Sequence, residues 1–477
     1  MFTGPPVTSP GSDTRPHGRV GDGDVARVRF RRALALLLMT LVLPGSAQLV
    51  AGNQRVGRIA LRVVLVLVAT TAFVVLLGWK WHGVVYFLAS NTFMLGLLRL
   101  VLCALAVGWA LLFLDAWRLG QPLELRQKQR LVVVGLNGLL CFSVAGGLLF
   151  ASHVVAVQRG FIAAMFGDGV ASAATDGRYN ILLLGGDSGA DRWGLRPDSI
   201  SVASIDQDTG KAIIFGLPRN MTDFPFAEGS VMHKAWPHGF NCGYPNCELN
   251  GVNTWVGDHQ RLFKGVKNPG MDATISAIEG ITGLKINYWS FVNLAGFRGL
   301  VDAVGGVTLH VRQPIPVGGL GSDVTGYIKP GTRKLNGYDT LWFARSRDSS
   351  DDYSRMARQK CVMNAMLHQL SPTKVLKNFG AIASAGKQII STSIPASELD
   401  TFVNLSMKTK SLPVATVSFV PPKVNTSDPD YQQIRSMVTT AVAASQAKDD
   451  GKTTPKPHRH QPRDRTANDS DNLSSAC

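Results

Sequence analysis

The chain has 477 residues, with 49 Lys and Arg against 33 Asp and Glu, and a formal net charge of +16. That length excludes a single small globule and leaves room for a membrane region beside at least one domain with its own core, at roughly 150 residues per domain. A basic surplus often marks a nucleic-acid binder, but in a membrane protein it also records topology, so the positions of the charges decide between the two.

In chain order, residues 1–32 are rich in Gly and Pro and then in Arg, and are predicted to be a disordered, basic, cytoplasmic amino terminus. Residues 33–154 are predicted to be a membrane region, with apolar runs at 33–51, 61–79, 92–114 and 131–154. The last three approach the roughly 20 residues needed to cross a bilayer. The first, "LALLLMTLVLPGSAQLVAG", is broken by Pro44, Gly45 and Ser46 and has the pattern of a signal-like or interfacial segment. Lys and Arg near span ends accumulate on the cytoplasmic side. Four crossings would export the loops holding Arg55, Arg58 and Arg62 and Arg118, Arg126, Lys128 and Arg130. Three crossings keep all of these inside with Arg27–Arg32, leave only Lys80 and His82 on the outer loop, and place everything after residue 155 outside the cell membrane. Residues 155–177 read as a linker.

The cysteines offer a second test of compartment. Cys103 and Cys141 fall in apolar runs and read as inert. Cys242 and Cys247, in "NCGYPNC", stand close enough to close a small disulfide loop, which an oxidising compartment preserves. A zinc site is the alternative, and it lacks a second ligand pair. Cys361 and Cys477 show no evident partner.

From residue 178 the texture changes. "YNILLLGG" (179–186), "ISVASID" (200–206) and "KAIIFGLPR" (211–219) read as strands, with a turn at "QDTGK". "MDATISAIEGITG" and "ARQKCVMNAMLHQL" carry helical spacing, and "INYWSFVNL" and "GGVTLHV" return to strand composition. The expected fold class is α/β: a mixed-sheet sandwich over residues 178–445 with helices on both faces, preceded by amino-terminal transmembrane helices. Residues 446–477, polar and basic, are expected to be a disordered tail.

Three stretches put charged residues at strand ends, where loops over a rigid sheet commonly carry function. In "GGDSGADRWGLRPDS", Asp187 follows one strand and Asp198 precedes the next; two such carboxylates suit a hard cation such as Mg²⁺, while the plainer roles are a cap and a turn. No phosphate-loop or dinucleotide spacing accompanies these glycines. In "GLPRN", Arg219 ends a strand. In "TLWFARSRDSSDDYSRMARQ", alternation along a strand would put Leu341, Phe343, Arg345 and Arg347 on one face, an apolar floor running into two guanidiniums. Arg355, Arg358 and Gln359 follow at helical spacing, with Asp352 as the expected cap. A charge run of this kind is usually a solvated face. Forked donors beside a helix amino terminus nonetheless suit phosphate, and the apolar neighbours suit a ligand with a greasy part.

As a set, "NILLLGGDS", "RPDSISVASID", "GLPRN", "FVNLAGFRGLVDAVGGVTLHV", "LNGYDTLWFARSR" and "YSRMARQ" resemble, in order, the LytR-CpsA-Psr family of bacterial envelope proteins over residues 178 to about 420. The resemblance implies transfer of a glycopolymer from a polyprenyl-pyrophosphate carrier to a peptidoglycan hydroxyl, forming a phosphodiester. It implies Mg²⁺ held by Asp187 and Asp198, pyrophosphate contacts from Arg219, Arg345, Arg347, Arg355 and Gln359, and an apolar tunnel for the prenyl chain. Arg196 and Arg358 match its motifs without an assigned role. Asn220 stands where many relatives carry Asp. The Cys242/Cys247 loop and several spans are features of actinobacterial relatives, for which arabinogalactan is the usual proposed polymer. Hydrolysis of the same lipid by a pyrophosphatase, and inward signalling by a membrane sensor, are the rival readings. A nucleic-acid partner is not expected, because the cytoplasmic loops and an anion site account for much of the surplus charge.

Overall fold

The computed structural model describes residues 22–81, 84, 87–89, 91–166, 170–187, 196–243, 247–319, 323–347, 351–369, 390–447 and 473. It divides into two units, Met1–Lys80 with Leu97–Val155, and Trp81–Gly96 with Ala156–Cys477.

The first unit is helical. Helix α1 (Asp22–Val42) stops ahead of Pro44, α2 is Ser46–Ala51, and α3 is Gln54–Lys80. Helix α4 (Thr92–Leu119) and the long α5 (Gln127–Met165) follow. Residues 22–32, expected to be unstructured, form the first turns of α1. Strong helix formers and acids at its amino end favour this, and Arg29 reaches Glu124 at 3.3 Å. The break at Pro44 and Gly45 is a packing device. Gly45 has φ +93°, and a Cβ there would lie 2.7 Å from both the Ala60 Cβ and the Gly57 carbonyl oxygen. Gln48 Nε2 donates to the Leu112 carbonyl at 3.0 Å and Trp109 Nε1 to that of Thr40 at 3.2 Å, so polar groups inside this apolar bundle are joined across helices. Three helices among the described residues are long and apolar enough to cross a membrane: Gln54–Lys80, Thr92–Leu119 and Gln127–Ala163. Helix α1 is not one of them, and α5 carries its helix into the segment read as a linker.

The second unit is built on a six-stranded mixed sheet. Its strands are β1 (Arg178–Asp187), β2 (Arg196–Asp206), β3 (Ala212–Leu217), β4 (Tyr288–Asn293), β9 (Ile390–Thr392) and β10 (Ala415–Ser418), in the order β10-β3-β2-β1-β4-β9. The first three strands run antiparallel in a meander, as their turn signals predict, while β4 joins β1 and β10 joins β3 in parallel. Two small ribbons, β5 (Val307–Val311) with β8 (Gly331–Leu335) and β6 (Ile315–Gly318) with β7 (Val324–Ile328), stand apart. The helices are α6 (Val231–Ala235), α7 (Val252–Asp258), α8 (Pro269–Thr282), α9 (Leu294–Ala303), α10 (Gly337–Arg345), α11 (Asp352–Gln369), α12 (Leu399–Lys410) and α13 (Tyr431–Gln446).

Both faces of the sheet are covered, and the period of two in β2 and β3 shows how. Ile200, Val202, Ile213, Phe215 and Leu217 enter one core with α8 and α13, while Ala203, Ala212 and Ile214 enter another that includes Met363 and Leu367 of α11. A third core beneath α9, α10 and α11 holds Val301, Leu309, Phe343 and Val362. Leu473, within the segment expected to be a disordered tail, is 2% exposed, joins the Ala203/Ile214 core and donates its amide to the Val414 carbonyl at 2.8 Å. One apolar residue in a polar stretch carries no sequence signal of such docking.

Candidate functional site

Strand directions bring the charged residues together. Strand β1 ends at Asp187, β2 begins at Arg196 beside it, and β3 runs back so that Leu217 pairs with Ile200. Asp187, Asp198 and Arg219 therefore share one end of the sheet, and the parallel β4 delivers Asn293 opposite Gly186 at the same end. A Cβ on Gly186 would fall 2.7 Å from the Arg196 carbonyl oxygen, so only glycine permits this closeness of β1 to β2. The side chain of Asp187 lies outside what is described; its backbone pairs with Arg196.

The described side chains form a compact ionic set. Arg219 Nη1 donates to Asp198 Oδ1 at 2.6 Å, and Arg355 approaches the same oxygen at 3.7 Å while Arg355 Nη2 donates to the Asp198 main-chain carbonyl at 3.1 Å. Asp352 closes the ring, accepting from Arg355 Nη2 at 2.9 Å and lying 3.5 Å from Arg219 Nε. Arg355 is 2% exposed, and burial, countered in part by Asp352, pushes its guanidinium down to about 10, still charged at neutral pH. Two carboxylates thus balance two guanidiniums.

Arg345 and Arg347 differ. They line a cavity of about 160 Å³ together with Asp198, Arg355 and Gln359; Ser199 and Asn293 add polar groups, and most of the remaining wall is apolar, including Val292, Leu294, Phe297, Leu341, Val362 and Met363. Among the described residues neither makes an ion pair; Arg345 lies over the Trp342 ring, 5.3 Å from its centroid. Two cations without an ion pair among the described residues, lining a largely apolar cavity, suit an anionic group on a greasy ligand.

Several expectations need correction. The segment from Thr340 to Arg345 is helix, not strand, so alternation does not place Arg345 and Arg347. They leave the carboxyl end of α10 on either side of Ser346, which is 1% exposed. Asn336 caps that helix by accepting from the Asp339 amide at 2.8 Å, a signal available in "NGYD". The cap of α11 is Asp351, whose Oδ1 accepts from the Ser354 amide at 2.8 Å; Asp352 is freed for its ion pairs. Gln359 lines the cavity, but Arg358 turns away from it into the protein. Arg196 is exposed at the edge of the site.

Sequence reasoning missed Glu248. Burial raises its carboxyl above the usual range, and the charges of Arg219 and Arg196 oppose that rise. The segment is pinned there by Leu249, whose amide donates to the Met221 carbonyl at 2.9 Å, and Asn250, which donates to that of Arg219 at 3.0 Å. Just before it, Cys242 and Cys247 are joined as a disulfide with Cα atoms 5.3 Å apart. Cys361, read as partnerless, is also disulfide-bonded, and Cys103 and Cys141 are free thiols.

Comparison with known proteins places this geometry. The chain is 29% identical over 226 residues to the Polyisoprenyl-teichoic acid--peptidoglycan teichoic acid transferase TagU of Oceanobacillus iheyensis, covering 47% of this chain and 61% of the relative. It is 26% identical over 347 residues to the Cell wall biosynthesis protein LcpA of Corynebacterium glutamicum, covering 65% and 62%. It is 24% identical over 277 residues to the Biofilm regulatory protein A of Streptococcus mutans, covering 56% and 62%. In each case the match spans about three fifths of the relative's length. The family model described as LytR_cpsA_psr matches residues 159–448, more than half of the chain and all of the sheet and its ionic set, and the chain belongs to that family.

Proposed function

We propose that this protein is a membrane-anchored phosphotransferase that moves a glycopolymer from a polyprenyl-pyrophosphate carrier to a peptidoglycan hydroxyl, leaving a phosphodiester. The observation that carries the reading is a largely apolar cavity lined by Arg345 and Arg347, which make no ion pair among the described residues, and by Asp198 and Arg355, whose ion pairs extend to Arg219. A prenyl pyrophosphate has the matching halves. The names of TagU and LcpA, a teichoic acid transferase and a cell wall biosynthesis protein, support a wall polymer as the cargo. The three apolar helices, with Lys and Arg concentrated before the first and between the second and third and sparse between the first and second, support a multi-pass anchor with the site on the outer side.

In the reaction, the acceptor hydroxyl oxygen bonds to the sugar-linked phosphorus, the bridging P–O bond breaks, polyprenyl phosphate leaves with that electron pair, and the hydroxyl proton passes to solvent or to a substrate phosphate oxygen. Phosphoryl transfer of this kind depends on positioning and on neutralising charge, which Arg219, Arg345, Arg347 and Arg355 supply. Among the described residues the two arginines engage Asp198 through Oδ1 and its main-chain oxygen, so Oδ2, with the Asp187 strand end adjacent, would offer carboxylate oxygen to a hard cation such as Mg²⁺. Bound there, Mg²⁺ would add positive charge beside the pyrophosphate. Asp198, held in two ion pairs, is poorly suited to take the hydroxyl proton.

The test is the full chain reconstituted in vesicles with a lipid-linked glycan and peptidoglycan. The expected product is glycan joined to peptidoglycan through phosphate, and Asp187→Ala should keep the fold and lose the product. Free glycan phosphate formed without acceptor would instead identify a pyrophosphatase, and no turnover with retained lipid binding would identify a sensor.

A further inference from the structure

The last carbonyls of a helix have no partner inside it. At the carboxyl end of α10 these groups are taken up by α11. Arg358 Nε donates to the Phe343 carbonyl at 2.8 Å, Arg358 Nη2 donates to that of Ser346, and Gln359 Nε2 reaches that of Ala344 at 3.4 Å. Arg358 is 8% exposed, and a cation set against helix-terminal carbonyls is favoured by the helix dipole as well as by the hydrogen bonds. The two carbonyls held by its fork bracket Arg345, and the second precedes Arg347. Arg347 is close enough to Arg355 for their like charges to act on each other.

We propose that Arg358 is a positioning residue: its buried guanidinium clamps the carboxyl end of α10 to α11 and so holds Arg345 and Arg347 where a pyrophosphate is received. The ligand half of this statement rests on the function proposed above; the clamp does not. The sequence placed Arg358 on the same helix face as Arg355 and Gln359, but its side chain binds backbone rather than facing the cavity. Lysine cannot replace it, because a single ammonium lacks the planar fork that spans two carbonyls.

The experiment compares the full-length wild type with Arg358→Lys in detergent, reading amide hydrogen exchange and the binding of farnesyl pyrophosphate by calorimetry. Exchange over residues 343–347 should rise about tenfold while β1, β2 and β3 stay protected, and affinity should fall about tenfold, as expected for one lost charged hydrogen bond. Unchanged exchange over 343–347 overturns the clamp, and exchange that rises across the whole domain reduces Arg358 to a general stability role. Local loosening with unchanged affinity overturns the positioning role. A wild type that does not bind the probe overturns the functional reading and the ligand half with it, while the exchange data still judge the clamp. If the variant does not fold, the wild type decides: a Ser346 amide that exchanges like an exposed loop contradicts the clamp.

Discussion

The two halves of the arginine cluster are held in opposite ways. Arg219 and Arg355 are matched by Asp198 and Asp352, so that half is an ionic network completed by the fold itself. Arg345 and Arg347 are matched by no carboxylate among the described residues and are fixed instead through their backbone. The first arrangement contributes to stability as well as to any chemistry. The second, half-buried and without an ion pair among the described residues, adds little to stability and leaves its charge for a ligand.

This contrast makes separable predictions. The largest effect is expected from Arg355→Ala, which leaves Asp198 and Asp352 to Arg219 alone: about 1–3 kcal/mol lost in denaturant unfolding, together with at least ~10²-fold lost in transfer. Arg345→Ala and Arg347→Ala should lose a comparable ~10²-fold in transfer while unfolding free energy changes by no more than about 0.5 kcal/mol. If these two variants prove as unstable as Arg355→Ala, the distinction between the halves disappears.

A smaller effect sharpens the comparison from its edge. Burial raises the Glu248 carboxyl above its ordinary 4.5, against the pull of Arg219 and Arg196. A carboxyl whose folded-state pKa is raised contributes stability that is full below the unfolded value and is lost as pH rises through the folded one. Glu248→Gln cannot ionise, so its stability relative to wild type should increase as pH rises from about 4.5 towards neutrality, read from unfolding midpoints across pH. A relative stability that decreases over that window would mean that the arginines dominate, and that Glu248 belongs to the compensated half.

How much of this was legible in the sequence follows from the range of each signal. Strands β1 to β3 were readable because short apolar runs separated by turn residues fix both element and pairing. Asp198 and Arg219 could be placed at strand ends for the same reason. Helix α10 was misread because nine residues with three aromatic side chains carry too little periodicity to oppose strand propensity; the Asn336 cap was the better guide. The inward turn of Arg358, the bridging by Asp352 and the approach of Glu248 depend on contacts between segments 12 to more than 100 residues apart, about which local pattern is silent.

The most direct test of the central claim is equilibrium binding of a short prenyl pyrophosphate to the full chain and to the Arg345→Ala/Arg347→Ala double variant, with thermal unfolding of both. The account predicts that wild type binds, and that the double variant keeps its melting temperature and loses at least ~10²-fold in affinity. Equal binding by the two proteins would contradict it.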